Sequence, residues 1–476
     1  MVPPPDKQRL DRGAMLALFA MALGVFVIAN DFTALSVAIP RIESELDTDL
    51  NTAQWVIDGY ALVFGVLIVT GGRLADLFGR KRIFMIGAAL FATFSVLGGL
   101  SPNIETLIAL RMLMGVGGAM MWPAILGMTY AILPASKAGL AGGLILGAAG
   151  FGNAVGPMLG GFLTDVLSWR WIFFVNVPIA AFAVFVTWRV VHVTEAEVTE
   201  RGIDYRGIAC LSIGLVSVLL ALDQGTEDGF TDPPILALFV LGGVLLAVFA
   251  FLEPRTGATA LVPRDVMTNG QFVAASLTVL LMSAIFFAAL LYLPQFMQHK
   301  DGLDYSPLKA GAGLLPMMGT FAAMSFASGP LYARLGPKRI VSIGAAFLAV
   351  GMFLLSRLDA GSSYGALVPG MVVLGLGVGI FYSSITTAGV TALDEARASL
   401  AGGIIYMCQI AGGAVGLGLN TALVATADTL AEGIRTAFLV DTALALVGLV
   451  VALLYVGGRA HPQRLQALRW HHRAHA

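Results

Sequence analysis

Charge is what this sequence has least of. Only 12% of its 476 residues are Asp, Glu, Lys or Arg, about half of what a water-soluble domain carries. So few ionisable groups cannot cover a soluble surface of this size, and that class is excluded. The net charge is −1, which leaves no basic face for nucleic acid. Cysteine is scarce as well: Cys210 and Cys408 both fall in apolar runs, so neither a disulfide framework nor a zinc site is expected. Paired carboxylates, a Ser/His pair, a metal-ligand cluster and a phosphate-cradling glycine loop are all missing. An enzyme is therefore not expected, and no cofactor or metal. The terminal WHHRAH, 470–475, holds histidines, but on a solvated tail rather than in a built site.

What is present is oil. Apolar residues make up 58% of the chain and glycine 57 positions. That rules out disorder and suits membrane helices, whose small residues let backbones approach. Runs long enough to span a bilayer, about 20 residues each, recur fourteen times: roughly 14–40, 53–72, 83–100, 104–131, 139–165, 171–191, 207–223, 234–252, 270–297, 307–330, 339–357, 364–390, 398–426 and 437–458. They do not alternate, which argues for helices and against a barrel. The first continues into others and reads as a span rather than a cleaved signal. The longest connections, near 192–206, 224–233 and 253–269, are too short for a soluble domain.

Lys and Arg placement gives the orientation. With the N-terminus in the cytoplasm, inside segments hold twenty-one of these residues and outside segments six, Arg111 lying within a span. An even number of spans returns the basic C-terminal tail to the cytoplasm, which supports fourteen.

The chain also repeats itself. GRLADLFGRKR, 72–82, follows the second span and GPLYARLGPKR, 329–339, the tenth. Gly72, Leu74, Gly79, Lys81 and Arg82 match Gly329, Leu331, Gly336, Lys338 and Arg339 in register. Both copies lie on one side, so the repeat is parallel, but it spans eight helices where two parallel six-helix halves would repeat after six. Two further helices, 207–223 and 234–252, must lie between the halves. The expected fold is an all-α integral membrane protein with 14 transmembrane helices: two parallel six-helix bundles plus two inserted helices. Its parts are 1–191, a linker region 192–269, and 270–476 with the basic tail.

Five stretches carry a family resemblance: GRLADLFGRKR, LIALRMLMGVGGAM (107–120), GNAVGPMLGG (152–161), FVIANDFTALSVAIP (26–40) and WRWIFFVNVP (169–178). Together they resemble the major facilitator superfamily, in its 14-helix drug:proton antiporter branch. Leu77 departs from the family, which often has a basic residue there, and the second copy of the loop has Ala333 where the first has Asp76. The resemblance implies a multi-pass antiporter in the bacterial cytoplasmic membrane, both termini cytoplasmic. It implies efflux of lipophilic, often cationic, drugs or antibiotics against protons, by a monomer whose partners are substrate, protons and lipid. A dedicated exporter of one natural product, lipid or metabolite has the same fold; a non-transporting sensor or channel is the reading from another class.

The residues can be weighed singly. In the first loop Gly72 and Gly79 allow a tight turn, Arg80 and Lys81 hold it in the cytoplasm, and Asp76 is placed to cap a helix N-terminus or to pair with its own arginines. The resemblance makes that helix the one starting near Ser399, a latch between the halves. Gly147, Gly152, Gly156, Gly160 and Gly161 permit close helix packing, Pro157 can kink its helix, and a gating role follows if the halves rock there. Charges inside a bilayer are costly and functional by default. Counting along helices, Asp31 lies about 13 Å, Arg111 about 10 Å and Asp58 about 8 Å from the outer surface. Asp31 is the expected proton-coupling or cation-binding acid, with Arg111 and Asp58 as helpers; the plain alternative for Asp31 is a static ion pair with Arg111. Coupling requires that Asp31 reach water. Asp441, four residues into the last span, is expected at the interface. Gln409 and Asn420 are cavity candidates, as are the aromatics Trp122, Phe286, Phe287, Tyr292, Phe381 and Tyr382, although packing is the commoner use of such residues.

Overall fold

The computed structural model describes residues 12–134, 137–191, 202–299 and 302–457. The terminal WHHRAH and most of the 192–206 linker lie outside them. Among the described residues there are helices and no strands. The long helices are α1 (Arg12–Ala34), α2 (Leu50–Phe78), α3 (Arg80–Gly99), α4 (Ile104–Ile132), α5 (Ala138–Val166), α6 (Arg170–Val190), α7 (Tyr205–Asp228), α8 (Pro233–Leu252), α9 (Gly270–Gln298), α10 (Leu315–Leu335), α11 (Pro337–Leu355), α12 (Tyr364–Val390), α13 (Ala398–Ala425) and α14 (Leu430–Tyr455).

Thirteen of these are long and apolar enough to cross a membrane. The exception is α10, whose 21 residues reach about 31 Å but whose Thr320, Ser325, Ser328, Gly329 and Pro330 dilute its hydropathy. Ser325 and Ser328 are buried in protein, so those hydroxyls meet no lipid. The first span is shorter than the sequence suggests. Its α-helix stops at Ala34, a 3-10 turn at Leu35–Val37 carries the span to Val37, and Pro40 lies in a separate short helix, Ile39–Glu45.

Local chemistry sets the helix ends. Asp49, Asn103 and Asn269 accept hydrogen bonds from backbone N–H groups in the first turns of α2, α4 and α9, as side-chain caps do. The repeated loop is a repeated turn: Gly79 between α2 and α3 has φ +101°, and Gly336 between α10 and α11 has φ +79°, a region that favours glycine.

Helices α1–α6 pack among themselves, as do α9–α14. Two seams join the halves, α5 against α10 and α2 against α13. The pair α7–α8 docks through α7 onto α13 and α2, with Leu222 against Gly418. On α8 only Ile235 and Gly242 are described as buried, while Leu236, Val240, Leu241, Val244 and Phe251 are exposed, as on a helix surrounded by lipid. One end of the bundle carries Arg80, Lys81, Arg82, Lys137, Arg334, Lys338, Arg339 and Arg397 at its turns; it is called the basic end below.

Candidate functional site

The two seams are copies of each other. A Cβ on Gly143 of α5 would stand 2.7 Å from the Ser325 carbonyl of α10, and one on Gly403 of α13 would stand 2.7 Å from the Ile68 carbonyl of α2. Likewise Gly329 lies against Leu140, and Gly72 against Leu400. Only glycine permits backbones this close. At the basic end the halves therefore touch backbone to backbone.

On the α2–α13 seam a carboxylate reinforces the contact. Asp76, 8% exposed, accepts hydrogen bonds from the backbone N–H of Ser399 (3.3 Å) and of Leu400 (2.8 Å), at the start of α13 where helix donors are unsatisfied. Both alternatives raised by the sequence hold at once, since Arg80 also donates to Asp76 at 3.2 Å. Arg80 donates further to the carbonyls of Gly127 (3.0 Å) and of Glu395. Lys81 donates to the carbonyls of Trp188 and Val191, both at 2.9 Å, and so closes the end of α6. On the other seam Ala333 stands where Asp76 would be, and the start of α5 has no side-chain cap.

The helix 5 motif is divided in its work. Gly147 lies against Phe326 of α10, but Gly152, Gly156 and Gly160 lie against Phe26, Asn30, Thr33 and Ala34 of α1, within the same half. The helix runs unbroken through Pro157, and Gly161 is buried. The α5 glycines that face the other half are Gly139, Gly142, Gly143, Gly147 and Gly150. Their signal was in the sequence: KAGLAGG at 137–143 and RASLAGG at 397–403 are a second repeat.

Near the opposite end Asp31 and Arg111 meet. Arg111 Nη1 is 2.5 Å from Asp31 Oδ2, with both side chains fully buried. Arg111 Nε donates to the Val56 carbonyl at 2.7 Å, and its guanidinium lies 4.3 Å from the centre of the Tyr60 ring. Asn176 of α6, in the WRWIFFVNVP stretch, donates to Asp31 Oδ1 at 2.8 Å and was missed by sequence reasoning. Asp58 is half-buried on α2. The expectation of a path to water is not met in this conformation. Asp31 is 0% exposed and paired with Arg111. One donor is left over: Arg111 Nη2 is buried without an acceptor.

Between the halves Phe64, Trp122 and Tyr406 form an aromatic cluster, with Trp122 and Tyr406 centroids 4.3 Å apart. Beside it a void of about 10 Å³ is lined by Trp122, Leu146, Thr386, Tyr406 and Gln409, room for one water at most. Gln409 and Trp122 thus face the centre of the molecule. Tyr382, Phe286 and Phe381 pack in an aromatic group of the C-terminal half, with the Tyr382 hydroxyl donating to Ser283 at 3.1 Å; Phe287 packs on Phe286 and Gly413. Tyr292 bonds Thr421 at 2.8 Å. Asn420 bonds Asp441, which corrects the interfacial placement of Asp441: it is fully buried, eleven residues into α14.

A family model described as Major Facilitator Superfamily matches residues 21–417 and 315–475. The chain is 30% identical over 413 residues to the tetracenomycin C resistance and export protein of Streptomyces glaucescens, covering 86% of this chain and 76% of that one. It is 32% identical over 445 residues to the puromycin resistance protein of Streptomyces alboniger, covering 92% and 84%. A multidrug resistance protein of Mycobacterium tuberculosis is 31% identical over 411 residues, covering 86% and 75%. In fold, the chain is similar to the human organic anion transporter MFSD10, with a TM-score of 0.68 at 15% identity, over 94% of this chain and 100% of that one.

Proposed function

This chain belongs to the major facilitator superfamily, and on that premise we propose that it exports lipophilic, often cationic, antibiotics or drugs in exchange for protons. The observation that carries the reading is a buried acid on α1 held by a buried arginine on α4, in a chain whose relatives are named for antibiotic resistance and export. The basic end faces the cytoplasm, following the rule that loops rich in Lys and Arg stay inside. The contacts there close the cytoplasmic route, and Asp76 latches them.

Because Asp31 is sealed in this state, its proton is exchanged in another one, in which Arg111 lets go and water enters. A ligand shifts such an equilibrium only by binding one state better than the other. Protonated Asp31 and bound drug must therefore favour different states, so that inward proton flow drives drug outward. Cargo meets the Trp122–Tyr406–Gln409 region, where aromatic faces suit cations and an apolar lining tolerates many shapes. Residues 1–191 and 270–476 act as the two rocking bodies.

The test is ethidium transport in proteoliposomes holding the full chain, with an imposed pH gradient or a sodium gradient. The expected result is extrusion driven by the pH gradient alone, abolished in a folded Asp31→Asn variant. Extrusion driven by sodium alone, or at wild-type rate in Asp31→Asn, overturns the assignment.

A further inference from the structure

The C-terminal half contains a second membrane-buried carboxyl, and no cation among the described residues pairs with it. Asp441 of α14 is 0% exposed and lies eleven residues from Leu430, about 16 Å along the helix. Its hydrogen-bond partner is the Asn420 side chain of α13, whose Nδ2 stands 3.3 and 3.1 Å from the two carboxyl oxygens. The helices packed on α14 are α9, α11 and α13. Helices α9 and α13 contain no charged residue. Lys338 and Arg339 of α11 lie in its first turn, at the basic end. On α14 itself Glu432 and Arg435 are exposed, nine and six residues nearer its start. Tyr406 and Cys408 of α13 lie about three to four turns from Asn420. Among the described residues the titratable group facing Asp441 is Tyr292 of α9, whose hydroxyl is engaged with Thr421.

An ionised carboxyl with no counter-charge is costly in such a place. A second observation points the same way. Asn420 Oδ1 is buried and has no hydrogen-bond donor, a defect with its own cost. A single bound proton removes both. With an O–H on Asp441, the carboxyl can donate to Asn420 Oδ1 while Asn420 Nδ2 donates to the other carboxyl oxygen, after a small rotation of the two planes. The contrast with Asp31 is informative: each half has a buried carboxyl bonded by an asparagine, but only Asp31 also has an arginine.

We propose that Asp441 and Asn420 form a proton-binding site in the C-terminal half, loaded in this conformation and separate from the Asp31–Arg111 pair. The proton comes from water and forms one O–H bond; nothing else changes covalently. As a step of transport the site rests on the proton-coupled reading above, whereas its occupancy does not.

Infrared spectroscopy of the purified full chain in lipid reads this proton directly. At neutral pH the wild type is expected to show a protonated-carboxyl stretching band that shifts in heavy water. Asp441→Asn should remove one carboxyl's share of that band, and Asp31→Asn should leave it intact. Asn420→Leu, which keeps the acid and deletes its partner, should move the band in frequency. No such band in the wild type, or an undiminished one in Asp441→Asn, overturns the proposal. Should Asp441→Asn fail to fold, an unshifted band in Asn420→Leu overturns it instead. Thermal unfolding with sodium chloride exchanged for choline chloride tests the rival occupant. An unchanged midpoint supports a proton, whereas sodium stabilisation that Asp441→Asn abolishes overturns the proposal in favour of a cation site. Failure of Asp31→Asn to affect export would leave all these readings as they are, so the two proposals fall separately.

Discussion

Removing the Arg111 guanidinium would leave the Asp31 carboxylate with Asn176 as its donor, in a space that water does not reach. Breaking a buried pair from one side costs about 3–5 kcal/mol, whereas replacing both partners costs far less. Arg111→Gln is therefore expected to destabilise by about that amount, and adding Asp31→Asn should recover part of it. Unfolding of the two single variants and the double variant in mixed detergent–SDS micelles measures the coupling, and simply additive losses would show the two side chains to be independent. These two residues were legible in the sequence because a charge inside an apolar run stands out, and counting along helices put them at one depth. Asn176 was not legible, since an uncharged amide in a span carries no such signal. Asp441 was misplaced for a physical reason. Glu432 and Arg435 look like a boundary, but they ride the exposed face of a helix that had already begun at Leu430.

Among the elements, seam formation depends on glycine backbones more than on side-chain fit. A methyl on Gly139 would lie 2.7 Å from the Gly329 carbonyl, and one on Gly329 would lie 2.9 Å from the Gly139 carbonyl. Carbonyls cannot swing aside as side chains do, so the helices must part. Gly139→Ala and Gly329→Ala should each lower stability by about 1–3 kcal/mol. Gly243→Ala on α8, where nothing lies within 4 Å, should be neutral or stabilising by up to about 1 kcal/mol. Thermal unfolding in detergent separates the two outcomes, and equal effects at all three positions would refute the seam argument. The helix number, the turn glycines and the inserted pair were readable from hydropathy and from the repeated basic loop. The partners across each seam were not, because which helices meet is set by tertiary packing. The repeat that marks them, AGLAGG and ASLAGG, consists of small residues that a search guided by charge passes over.

At the level of the whole molecule, the repeat predicts two equivalent seams, yet only one carries a carboxylate cap. Losing the cap at Asp76 removes about 1–2 kcal/mol, a five- to thirty-fold change in the balance between closed and parted halves. Spin labels at the exposed positions 82 and 334 should accordingly report a longer-distance population in Asp76→Ala than in the otherwise unchanged protein; identical distance distributions would deny Asp76 any hold on the closed state. The other asymmetry is the α7–α8 pair, which lies beside the capped seam and leaves the α5–α10 seam uncovered. Were the basic end to open, a molecule dissolved in the leaflet at that end would find one flank screened by two extra helices and the other bare. Oily cargo would thus have a sideways approach from a single direction, through the gap between α5 and α10.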